Sequence, residues 1–137
     1  MDSLYSLTDE EFEYQFKNCI LDQVLFSHEA HLRLAYLYIQ KYGIEKAIEE
    51  VCRDIRQYAA FLGAHTKYNV TVTGAAVRVV HHFMLRSSTK NFQEFLAENL
   101  QLKTDFRALI SSHYKTDIFL SENARLEFME PELMPFN

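Results

Sequence analysis

The residues best placed to do chemistry in this chain are two histidines three apart, in the run Phe26-Ser27-His28-Glu29-Ala30-His31-Leu32-Arg33. Positions i and i+3 of a helix project from adjacent points on one face, so both imidazoles can meet one substrate or one divalent transition metal. A catalytic zinc takes three protein ligands and keeps an open position, so the pair supplies only part of a metal site. The spacing is one residue short of His-Glu-x-x-His, which excludes the metalloprotease pattern. A third donor could come from His65, from His81 or His82, or from His113. Consecutive helical residues point about 100° apart, and His81, one turn after Val77, is the one expected on the apolar side. Each of these histidines also has an ordinary reading, as a hydrogen-bonded or surface residue.

Arg33, two residues beyond the pair, carries a planar fork that can clamp a carboxylate or phosphate, although an ion pair holding the fold is its commoner use. Farther on, Tyr68-Asn69-Val70-Thr71-Val72-Thr73 sets four hydrogen-bonding side chains at what reads as a helix start, where free N–H groups attract an anion or polar ligand. Plain N-capping accounts for the same residues equally well. Tyr114 reads as a boundary aromatic. The chain has no glycine-rich phosphate loop and no Gly-x-Ser-x-Gly elbow, and Glu45, Glu49 and Glu50 form the solvated side of one helix. Cys19 and Cys52 occupy apolar-periodic positions, which fit reduced core thiols better than nucleophiles or a disulfide framework.

Helices must position these groups. The 137 residues include only three glycines and two prolines, and both prolines fall in the last seven positions, so little interrupts helix formation. Thr8 and Glu11 make a capping box for a helix whose Phe12, Phe16, Cys19 and Ile20 share a face. Ser27 caps a second helix that runs to about Tyr42, where Gly43 supplies a left-handed stop. The third keeps the helical period from Ile44 to Leu62 before Gly63 ends it. The Tyr68–Thr73 alternation mimics a strand, yet Ala76, Val77, Val80, Phe83 and Met84 continue at helical spacing, which predicts a helix over residues 69–85. Short helices are expected around Phe92, Phe95 and Leu96, around Phe106, Leu109 and Ile110, and from Ser121 to about Met129. Residues 130–137 read as a Pro-containing tail laid over the body. The expected architecture is all-α, a compact single-domain bundle of five to seven helices.

Apolar residues make up 48% of the chain and charged ones 24%, a globular rather than disordered composition. A net charge of −5 without clustered Lys and Arg argues against nucleic acid as a partner. No apolar stretch approaches the roughly 18 residues of a membrane span, and Met1-Asp2-Ser3-Leu4-Tyr5 lacks a basic start and an apolar run. The expectation is a cytoplasmic protein with no membrane partner.

The run from Phe26 to Tyr36 resembles the Phe-Ser/Thr-His-x-x-His-Leu-Arg-x-Ala-Trp/Tyr signature of a widespread bacterial family of small proteins of unknown function. Tyr68 to Thr73 is similar to that family's Tyr-His-x-Thr-Ile/Val-Thr segment, and Ser121-Glu122-Asn123-Ala124-Arg125, Phe128 and Glu130-Pro131 extend the similarity to most of the chain. The resemblance implies that the His pair and the Tyr/Thr segment belong to one recurring design, and it brings no activity with it. Where the family has His after the tyrosine, this chain has Asn69, a poorer transition-metal ligand that still donates and accepts hydrogen bonds.

Two functional expectations follow, from different classes. In one, His28, His31, Arg33, Tyr68, Asn69, Thr71 and Thr73 bound a polar pocket for a small molecule, with a divalent metal on His28 and His31 or a histidine as general acid or base. In the other, a non-catalytic helical module serves self-association, as a homo-oligomer, or a protein partner, and its histidines are structural. Asn69 in place of histidine favours a polar pocket over a metal centre.

Overall fold

In the computed structural model, which describes residues 4–136, the chain forms eight α-helical segments: α1 (Asp9–Lys17), α2 (His28–Tyr42), α3 (Ile44–Phe61), α4 (Val70–Met84), α5 (Phe92–Glu98), α6 (Gln101–Thr104), α7 (Phe106–Ser111) and α8 (Glu122–Leu126). No strand occurs among the described residues, and the fold is an all-α bundle. Short polar side chains open most of the longer helices by taking N–H groups that have no partner within the helix. Thr8 and Glu11 close their reciprocal box at 3.1 and 2.9 Å. Ser27 accepts from Ala30 at 3.2 Å, and Asn69 accepts from Val72 at 2.9 Å. That last cap turns the strand-like alternation after Tyr68 into the first turn of α4.

Gly43 alone joins α2 to α3. Its φ of 81° is positive as expected of a helix stop, but its ψ of 165° is extended, a combination that essentially only glycine adopts. The two helices therefore turn without a loop, and both pack on α4, so the three long helices meet in all three pairings. α2 is the central one, buried continuously from Leu32 to Ile39. α3 turns Ala47, Val51, Ile55 and Tyr58 inward, and Tyr58 donates its hydroxyl to the Leu21 carbonyl at 2.7 Å. The shorter helices cover this trio: α1 lies on α3, α5 and α6 on α2, and α7 and α8 on α4.

Three boundaries differ from the sequence reading. α1 stops at Lys17, and Cys19 takes a positive φ of 57° just beyond it. The amides of Cys19 and Ile20 reach back to Phe16 and Gln15 at 3.1 and 2.8 Å, the pair of bonds that seals a helix end, so Ile20 leaves the apolar face and is exposed. The four-residue α6 lacks a side-chain cap and had no signal of its own. α8 ends at Leu126, short of Met129. The Thr71 hydroxyl, buried on α4, donates to the Glu127 carbonyl at 2.9 Å and accepts from the Met129 amide at 3.0 Å, which pulls the chain straight.

From there the tail runs over α4 and α7. The Tyr114 hydroxyl donates to Met129 at 2.7 Å, and the Leu133 amide donates to His113 at 3.0 Å. Glu132 accepts from the amides of Lys115 and Thr116 at 3.1 and 2.8 Å. Phe128 lies against Gly74, where a Cβ would come within 3.0 Å of its ring. Among the described residues, no helix is long and apolar enough to cross a membrane.

Candidate functional site

A cavity of about 380 Å³ opens between α2, α3 and α4, with Phe106 of α7 and Phe119 closing one side. Both segments singled out in the sequence contribute to it: His28 and His31 from the first turn of α2, and Tyr68, Asn69 and Thr73 from the start of α4. The remaining wall is carbon, drawn from Leu32, Ala35, Val51, Ile55, Val72 and Val77. The arrangement has the general form of a small-molecule site, an apolar hollow with a few convergent polar groups.

Backbone carbonyls fix both histidines. His28 Nε2 lies 2.9 Å from the Leu102 oxygen, and His31 Nδ1 lies 2.8 Å from the Ser27 oxygen. A carbonyl only accepts, so these nitrogens carry the protons, and neutral rings keep their lone pairs on His28 Nδ1 and His31 Nε2. Aromatic contacts restrain the ring planes as well: His31 stacks on Phe26 with centroids 3.9 Å apart, and His28 meets Phe106 at 4.6 Å. Burial pushes the His31 pKa below its ordinary value, with His28 adding to the effect and the Ser27 hydrogen bond opposing it. At neutral pH His31 is therefore an acceptor, suited to receive a proton or a hydrogen bond. Glu29, between them in sequence, is held elsewhere by the Tyr5 hydroxyl and by Lys103 at 3.0 Å.

The α4 side divides its polar groups between fold and cavity. Asn69 lines the cavity but spends one acceptor on Val72 and one donor on the Ile118 carbonyl at 2.9 Å, so capping is its main occupation. The Thr73 hydroxyl has no hydrogen-bond partner among the described residues and stands available. The Tyr68 hydroxyl lies against the Cys52 thiol, and burial first, then that thiol, holds the phenol protonated. Lys67 adds an exposed ammonium at the rim. Sequence reasoning missed Lys67, Phe106 and Phe119 as site residues: Phe106 marked its short helix but not the face it turns to the cavity, and Lys67 and Phe119 come from a single 3-10 turn and a loop with no periodicity.

Two of the proposed site residues face elsewhere. Arg33 is buried away from the cavity, donating to the Leu7 carbonyl at 2.9 Å and to Asp9 at 2.8 Å, with its guanidinium 4.8 Å from the centre of the Phe12 ring. Thr71 is the tail anchor already described. None of His81, His82 and His113 reaches the cavity. His82 and His113 line a separate hollow of about 270 Å³ beneath Met134, Pro135 and Phe136, whereas His81, expected on the inner side, lines neither. The His65 side chain lies outside the described residues. No group of three His, Cys, Asp or Glu side chains suited to a metal ion occurs among the described residues.

The sequence reading also overlooked a buried carboxylate. Asp54 accepts from Tyr38 at 2.7 Å and from Lys17 and Arg53 at 3.2 Å each. It sits three residues after Val51 and four before Tyr58, on the inward stripe of α3, and that misplaced charge was the available signal. Nor are both thiols core residues: Cys19 is buried, but Cys52 is partly exposed beside Tyr68. The chain matches no family model, no curated protein sequence and no solved structure.

Proposed function

We propose that the α2–α3–α4 cavity binds a small, mainly apolar organic molecule through one polar group, which meets His28 Nδ1, His31 Nε2 and the Thr73 hydroxyl. The single observation that carries this reading is the convergence of the His pair and the Tyr68–Thr73 segment, some forty residues apart in sequence, on one hollow of about 380 Å³. A protonated donor on the ligand, such as a hydroxyl or amide, suits two acceptor nitrogens. If the ligand is turned over, neutral His31 serves as the general base. A divalent metal on the same two nitrogens is the lesser reading, because only two imidazoles converge there among the described residues. On this view the bacterial design that the chain resembles is a pocket with these two segments as its walls, in a cytoplasmic protein.

The test is a thermal-shift and NMR screen of small aromatic and aliphatic alcohols, amides and ketones. Ligands of this site should stabilise the protein by about 2.7 kcal/mol at a hundred times their Kd. That gain should vanish in Ala76→Phe, which fills the hollow and keeps both histidines in the chain, and fall sharply in His28→Ala/His31→Ala. Stabilisation that survives Ala76→Phe would overturn the reading. Stoichiometric zinc or nickel, lost in the double variant, would replace it with the metal reading.

A further inference from the structure

A second concave surface shares Tyr68 with the histidine cavity and none of its other lining residues. It is a groove of about 650 Å³ between α3, the start of α4 and α8, and three arginines face it: Arg53, Arg56 and Arg125. None of the residues lining it is acidic. In a chain with 19 Asp and Glu against 14 Lys and Arg, such a collection is not the background composition.

The three guanidiniums differ in how they are held. Arg56 is exposed and makes no ion pair among the described residues, so its five N–H donors are open to solvent. Arg125 is aimed by Glu122 on its own helix, through Nε at 3.2 Å and Nη2 at 2.6 Å, and keeps its other amino group free. Arg53 is aimed likewise by Glu50 and, through Nε at 3.2 Å, by Asp54. Glu122 is exposed, and a pair of that kind contributes little, orienting the Arg125 fork more than neutralising it. Glu50 and Asp54 are largely buried and offset much of the Arg53 charge, which leaves Arg56 and Arg125 as the principal phosphate donors. Arg53, Arg56 and Ala60 follow one another at helical spacing, so the charge runs along one stripe of α3. Beside it the groove is apolar, with the Tyr68 ring, Val70 and Leu126.

We infer that this groove is a binding site for a small organic phosphate monoester, its phosphate among Arg53, Arg56 and Arg125 and its organic part against Tyr68 and Leu126. The guanidinium fork matches phosphate oxygens in charge and geometry, and several forks around one dianion give what no lone surface arginine does. The apolar floor selects an ester over free phosphate. The inference does not depend on what fills the histidine cavity, although Tyr68 is a wall of both.

Phenyl phosphate, inorganic phosphate and phenol are the probes, at constant ionic strength, with two readouts: melting temperature, and alkylation of Cys52 followed by peptide mass spectrometry. Phenyl phosphate should raise the melting temperature and slow Cys52 alkylation several-fold, inorganic phosphate should do so more weakly, and phenol should do neither. Arg56→Gln, which removes an unpaired and exposed group and leaves the fold intact, should weaken phenyl phosphate binding about tenfold or more, the loss of at least one charge-assisted hydrogen bond. Arg125→Gln should weaken it less, and His31→Gln not at all. Equal binding by wild type and Arg56→Gln, or no protection of Cys52, would overturn the proposal. So would loss of binding in His31→Gln alone, which would move the phosphate to the histidine cavity.

Discussion

α2 and α4 each carry two polar residues two positions apart near their N-termini, His31 and Arg33 on one, Thr71 and Thr73 on the other, and the two helices use them alike. A spacing of two places side chains about 200° apart around a helix, so each pair is divided between opposite faces. His31 and Thr73 line the cavity with polar atoms to spare. Arg33 and Thr71 are buried on the far side and are bonded to backbone: Arg33 holds the segment before α1 through Leu7, and Thr71 holds the tail through Glu127 and Met129. Polar groups fastened on both sides belong to the fold, and those left with unused capacity belong to the site. The difference is what a buried polar group demands, since an unmet hydrogen bond inside a protein is costly and one facing a cavity can be met by water or ligand.

The largest effect should come from breaking the anchoring side of α2. Arg33→Ala removes the donor to the Leu7 carbonyl, the partner of Asp9, and a guanidinium packed on Phe12 and 5.5 Å from the Tyr5 ring centre. Asp9 is half exposed and keeps its hydration, so the loss is mainly packing and an orphaned carbonyl, about 3 kcal/mol. Thermal denaturation should show a fall of roughly 10 °C at this chain length. Arg33→Lys should recover little of it, because a point charge cannot bond Leu7 and Asp9 in the same fork. An Arg33→Ala protein as stable as wild type would make Arg33 a site residue after all.

The threonines offer the same contrast with less energy. Thr71→Val keeps the shape of the side chain and leaves the Glu127 carbonyl and Met129 amide without their partner, at a cost of about 2 kcal/mol. Thr73→Val removes a hydroxyl that holds nothing in the fold and should lie within about 0.5 kcal/mol of wild type. Urea unfolding measures both, and limited proteolysis of the tail should accelerate in Thr71→Val alone. Equal losses would erase the distinction between the two faces.

How much of this was legible in the sequence follows the range of the interactions. Caps are local, so Thr8 and Ser27 marked their helices correctly, Gly43 marked the joint between α2 and α3, and capping was one of two open readings of the segment in which Asn69 proves to be the cap. The histidine pair and the Tyr68–Thr73 segment were visible as polar residues on apolar helix faces. Which member of each i, i+2 pair faced inward was not, because Thr71 depends on residues 56 and 58 positions away and Arg33 on partners 24 and 26 positions away. The overestimate of α8 has the same origin: Phe128 and Met129 keep helical spacing, but a hydroxyl on α4 takes the Glu127 carbonyl and the Met129 amide. Asp54 is the instructive omission, since its partners Lys17 and Tyr38 lie 37 and 16 residues off, while its own place on the stripe of α3 was plain.

The cavity side of α2 should also declare itself in a slope against pH rather than a step in stability. Burial holds the His31 pKa below its ordinary value, so as pH falls through about 6.5 the unfolded chain takes up a proton that folded His31 refuses. Its contribution to stability is therefore constant above that pH and declines below it, toward the lowered folded value. His81, also lowered, by burial and then by its neighbour His82, adds to the same slope. Urea midpoints at pH 7.0 and 5.5 measure it, in a window above the ordinary carboxylate range. His31→Gln, which can still donate to the Ser27 carbonyl but does not titrate there, should flatten the slope without abolishing it, and adding His81→Gln should flatten it further. Arg33→Ala, less stable throughout, should keep the full slope, because arginine stays charged across the range. If His31→Gln retains the slope of the wild type, the ring is hydrated in the folded protein, and the cavity is too wet to make it a neutral base.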